Sequence, residues 1–131
     1  MKLHTIINAK DALLRLTEKR FRDYKKLREL VKLRKTVNAE YDFYLEQEKK
    51  AVDAHAAKKE DGSPDFTEDG RLKLKDAESK NAFEVEILRL QETEIDGIVP
   101  VKLCEEDFLT TNDLPTASDM LILEGIVDFA D

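Results

Sequence analysis

The residues able to do chemistry are few and scattered. His4, His55 and Cys104 lie far apart, with no C-x-x-C or H-E-x-x-H spacing. A zinc site needs four ligands converging at once, so none is expected from three such positions. Cys104 is followed by Glu105, Glu106 and Asp107, whose charge opposes a thiolate nucleophile. Only four glycines occur, and none stands in a G-x-x-x-x-G-K or G-x-G-x-x-G loop that could cradle phosphate. Asp69-Gly70 has acidic neighbours but lacks the ordered D-x-[DN]-x-[DN]-G spacing of a calcium loop, so a solvated turn is expected there. Catalytic residues, metal and cofactor are all expected to be absent.

What remains is charge arranged on a helix. Setting each residue 100° after the last puts Lys25, Arg28, Lys32 and Lys35 in one row. Opposite them runs an apolar stripe of Leu27, Leu30, Val31, Val37, Tyr41, Tyr44, Leu45 and Val52. Arg34 and Glu48 fall on that stripe, about 21 Å apart along the axis, too far to pair with each other. A charge on a face meant for burial needs a partner or a route to water. Arg34 either snorkels, or meets a carboxylate from the acidic part of the chain, or belongs to a protein interface, where arginine is enriched. Lys25, Arg28, Lys32, Arg34, Lys35 and Glu48 together form the candidate interaction surface.

The formal net charge of −7 conceals a split. Residues 1–37 carry 12 Lys+Arg against 4 Asp+Glu, and the other 94 residues carry 10 against 25. Such asymmetry marks either an anionic partner for the basic part or neutralisation of one half by the other within the fold. One cysteine excludes an internal disulfide and fits a reducing compartment, so a cytoplasmic location is expected. No apolar run approaches the roughly 20 residues of a membrane span, and no membrane partner is expected.

The positioning elements follow from pattern. The fold class expected is mainly α: a long antiparallel helical hairpin with a small β-containing terminal lobe and a C-terminal helix, all in one domain of 131 residues. Met1–Ile7 alternates weakly and reads as a strand. Residues 8–59 lack Pro and Gly and read as a long helix opened by Asn8 and Asp11, with a bend or break near 20–23. Ala9–Arg20 and Asp23–Lys59 are then two helices. A polar insert with an Asp-Gly hairpin covers 60–75, and Asp76 caps a second helix over 76–92. Its Phe83, Ile87 and Leu90 are expected to face Tyr41, Leu45 and Val52. Ile95–Leu103 reads as a strand whose obvious partner is Lys2–Ile6, with Pro100 confining it to an edge. Glu105–Asn112 reads as a polar connector. Thr116 with Asp119 reads as a capping box for a helix over 116–129.

The opening MKLHTIINAKDALLRL, the Asp-Gly insert Glu60–Lys75, the segment EIDGIVPVKL and the ending LPTASDMLILEGIVDF resemble a group of small phage- and prophage-encoded proteins of unassigned function. Phe21-Arg22-Asp23-Tyr24 departs from the pattern, where a more apolar, proline-containing junction is expected. The resemblance implies a phage setting and a helical hairpin with a small terminal lobe, and it supplies no catalytic residues. The function expected is a non-enzymatic, phage-type protein-interaction module. It would act in virion assembly or by binding and neutralising a host factor such as a defence protein, in the host cytoplasm. Its partner would be another phage or host protein, or further copies of itself. One alternative is nucleic-acid binding through the basic helix 20–35, disfavoured by sparse aromatics and an acidic whole. Another is a prefoldin-like holdase clamp.

Overall fold

The computed structural model describes Met1–Ala130, and the fold is mainly α. The order is α1 (Leu3–Asn8), α2 (Lys10–Thr17), α3 (Tyr24–His55), α4 (Ala77–Gln91), β1 (Val101–Leu103), α5 (Ala117–Leu123) and β2 (Val127–Phe129). The described chain gathers into two compact units, one of Met1–Asp42 with the chain from Glu94 onward, the other Phe43–Thr93. No helix among the described residues is long and apolar enough to cross a membrane.

In the first unit the opening is helical, not a strand. Leu3 and Ile6 stand one helical turn apart and both are fully buried, so a period near three prevails over the weak alternation of Leu3, Thr5 and Ile7. Only Lys2 forms a β-bridge, to Glu94, with the Ile95 N–H donating to the Met1 carbonyl at 2.8 Å. Asn8 is not an N-cap; it is the last residue of α1, and Ala9 keeps helical angles so that α2 follows almost without a break.

The expected interruption near 20–23 is present without any Pro or Gly to impose it. Tertiary bonds draw the backbone out of the helix. Leu109 N–H donates to the Arg20 carbonyl at 3.0 Å, and Arg22 N–H donates to the Asp107 carbonyl at 2.7 Å. The Phe21 and Phe108 rings lie 4.8 Å apart between centroids, both buried. The helix restarts where the Asp23 carboxylate accepts the Lys25 N–H at 2.9 Å, an N-cap interaction.

The main core lies wholly in this unit: Ile6, Leu13, Leu16, Leu30, Leu33 and Val37 meet Leu103, Phe108, Leu123 and Ile126. The C-terminal helix stops at Leu123 rather than continuing to 129. Gly125 follows, and the β-branched Ile126 and Val127 lead into β2, parallel to β1 with Val101 opposite Val127 and Leu103 opposite Phe129. The strand is therefore shorter than Ile95–Leu103, and its partner is the C-terminal segment instead of Lys2–Ile6. The connector 105–112 is two short 3₁₀ turns, Glu105–Asp107 and Thr111–Asp113, around the buried Phe108.

The second unit is a helical hairpin with a ribbon at its tip. The ribbon closes on itself: Ala57 N–H donates to Lys73 O (2.9 Å), Lys73 N–H to Asp65 O (3.0 Å) and Asp65 N–H to Ala57 O (2.9 Å). The Asp69-Gly70 hairpin forms as expected, with Gly70 at φ +85° and Thr67 N–H bonded to Arg71 O. Asp76 caps α4 by accepting the Ser79 N–H at 2.7 Å. The return is antiparallel: His55 Nε2 stands 3.2 Å from Glu86 Oε2, and Ala51 and Ala54 share a cleft with Ile87 and Leu90. The expected facing pairs need correction. Leu45 is 42% exposed, and Phe83 lines a cleft with Leu72 and Leu74 of the ribbon. No residue of α4 is fully buried.

Candidate functional site

The basic row forms as the helical spacing requires. Lys25, Arg28, Lys32 and Lys35 are all exposed on α3. The apolar stripe opposite is only partly right: Leu30 and Val37 are buried, Val31 is exposed, and Leu33, which lies between the row and the stripe, is buried too. A wider face than the one inferred meets the core, because β1 and the segment before it cover Leu33 from the side.

That coverage is incomplete, and it leaves a groove of about 480 Å³. Leu33, Ile98 and Val101 give it an apolar floor, and Lys26, Lys32 and Lys102 stand on its rim. Glu29 also reaches the rim, with its carboxylate 3.9 Å from the Lys26 ammonium, so the rim keeps a net positive charge. Val99 projects beside it at 76% exposure. Pro100 offers no N–H, and the amides of Asp96, Gly97, Ile98 and Val99 donate to no described residue. Gly97 turns the segment at φ +84°, and the backbone on either side of it is still open to pairing. Lys32 belongs both to the groove and to the row, which makes the two one continuous surface.

The other proposed residues are placed elsewhere. Arg34 is half-buried and donates from Nη1 to the Thr17 hydroxyl at 3.1 Å, so it meets α2 rather than a carboxylate. Glu48 is half-buried on the part of α3 that belongs to the second unit and does not join the groove. Lys26, Leu33, Ile98, Val99 and Lys102 were missed. Their signal was the run Ile98-Val99-Pro100-Val101, more apolar than a two-stranded edge can cover.

Cys104 sits at a 3₁₀ turn, where its backbone N–H donates to the Asp107 carboxylate at 2.9 Å and its thiol approaches the same oxygen at 3.5 Å. Among the described residues no three His, Cys, Asp or Glu side chains gather to hold a metal ion. Comparison with protein-family models, with curated proteins and with solved structures found no match.

Proposed function

We propose that the chain is a non-enzymatic protein-interaction module that takes an acidic, amphipathic protein segment on the groove and basic row of α3. The observation that carries this reading is the union of an apolar floor (Leu33, Ile98, Val101) with a lysine rim (Lys26, Lys32, Lys102). Apolar burial would supply most of the affinity, and the rim charges would select and steer the partner. The resemblance of its segments to small phage and prophage proteins supports a phage setting, with virion assembly or neutralisation of a host factor as the role, in the host cytoplasm.

One observation favours a second reading. Tyr24 is 77% exposed at the head of the row, and an aromatic beside basic residues is a stacking platform for single-stranded nucleic acid. Against it, no aromatic lines the groove and Glu29 would repel phosphate. Fluorescence anisotropy with a labelled acidic amphipathic helical peptide, and with single- and double-stranded oligonucleotides, separates the two. The peptide should bind and be weakened at least about tenfold, the equivalent of roughly 1.4 kcal/mol, by Lys32→Glu with Lys102→Glu. Micromolar oligonucleotide binding at physiological salt, lost on Lys25→Glu with Lys32→Glu in a folded protein, would replace the protein reading by the nucleic-acid one.

A further inference from the structure

The small sheet keeps one edge unpaired beside the groove. Val101 N–H donates to the Ile126 carbonyl at 3.1 Å, and the Leu103 carbonyl accepts the Ala130 N–H at 2.7 Å, so both residues turn their peptide groups toward β2. Peptide groups alternate in direction along a strand, and Lys102 between them turns its N–H and carbonyl the other way. Among the described residues the sheet has no third strand on that side. The groove runs along the same side: residues 97–102 line it together with α3, and no residue of β2 does. Side chains alternate too, so Val101 and Leu103 are buried on one face while Lys102 is exposed on the other.

We propose that the groove takes its partner in extended form, as an antiparallel third strand on the free edge of β1. This rests on reading the groove as a site for an acidic amphipathic segment, and it sets the period of that segment at two. The partner residue opposite Lys102 would exchange both backbone bonds with it, and its side chain would share the Lys102 face. Charge selects Asp or Glu there, since Lys26, Lys32 and Lys102 outweigh Glu29 on the rim. The residues on either side of that acid would point the same way as Val101 and Leu103, onto the floor of Leu33 and Ile98, where β-branched side chains fit a pleated surface. Pro100 has no N–H to offer and ends the ladder, so the recognised core is one acid between two apolar residues. A lysine and a proline blunt an open edge against strands at large, the chain's own copy included, and leave an acidic strand favoured. A helical segment can lay an apolar stripe on the same floor, but it leaves the Lys102 backbone unpaired.

The test uses the whole chain and two labelled peptides in fluorescence anisotropy: one with Glu between two Val in a run of Thr, the other the acidic amphipathic helix. The Glu nitrogen of the first peptide would face the Lys102 carbonyl, and the nitrogen of the next Val would turn away. Methylating the Glu nitrogen should weaken binding at least about tenfold, and methylating that Val nitrogen less than about threefold. A helix offers no such alternation. Saturating the chain with the first peptide should slow amide hydrogen exchange at Lys102 at least about tenfold, and at Val101 much less, because Val101 is already bonded to Ile126. Equal effects of the two methyl groups, unchanged exchange at Lys102, or binding of the helical peptide alone would each overturn strand addition and leave the reading of the groove standing. Failure of both peptides to bind defeats that reading itself.

Discussion

Arg15 of α2 grips Asp119 of α5 across 104 residues of sequence, with Nη2 2.7 Å from Oδ1 and Nε 3.0 Å from Oδ2. The Thr116 hydroxyl accepts the Asp119 N–H, so that half of the expected capping box is present. The carboxylate that would complete the box is turned away to the arginine. Asp119 is nearly buried while Arg15 is half exposed, so the guanidinium carries the pair's contact with water.

Hydrogen bonding from Arg15, opposed by burial, holds the Asp119 carboxyl below the usual carboxylate range. A group depressed in the folded state contributes its stability in full above its unfolded value of about 3.9 and loses it as pH falls through the folded value. Melting temperature should therefore fall more steeply below about pH 4 in the wild type than in Asp119→Asn. Parallel acid profiles for the two proteins, measured by circular dichroism, would show that the pair does not couple α2 to α5.

Thr116→Ala removes the cap of a helix only seven residues long. The expected cost is about 1 kcal/mol, visible as a lower urea midpoint at unchanged slope. A short helix has few internal bonds to compensate, so a neutral outcome would mean that α5 is held by Leu123 and Arg15 alone.

Leu33→Ala should cost about 2–5 kcal/mol, because the side chain is buried in the main core and the site cannot collapse freely. Leu45→Ala should lie within about ±0.5 kcal/mol at its exposed position. Equal losses in urea melts would show that Leu45 is covered in solution. Sensitivity to protein concentration would then point to another chain as the cover.

Gly70→Ala places a Cβ in open space but at φ +85°. The cost, about 1–2 kcal/mol, is conformational, and Gly70→Asn should cost less because a short polar side chain tolerates that region. Amide hydrogen exchange at Thr67, Asp65 and Lys73 should report it first, since their bonds close the ribbon. Unchanged protection in Gly70→Ala would mean that the turn does not govern the ribbon.

Much of the architecture was legible because it rests on local physics. The uninterrupted polar-apolar period made α3, Asp76 and Thr116 marked helix starts, and Asp69-Gly70 marked a turn that needs positive φ. The exposed basic row followed from spacing alone. The errors fall where two local patterns were nearly equal and distant partners decided. Leu3 and Ile6 could serve a strand or a helix until a core formed over them. Ile126-Val127 could extend α5 until β1 required a backbone partner. The groove belongs to the same class. Lys32 and Lys102 are 70 residues apart, and only the folding of 97–102 against α3 makes them one rim. Sequence by itself determined α3 and α4, the caps at Asp76 and Thr116, the Asp69-Gly70 turn and the exposed basic row, since these depend on neighbours within a few residues. The tertiary structure decided which β-branched segments pair, which leucines are covered and where charge and apolar surface meet. Those outcomes depend on long-range contacts that no local period encodes.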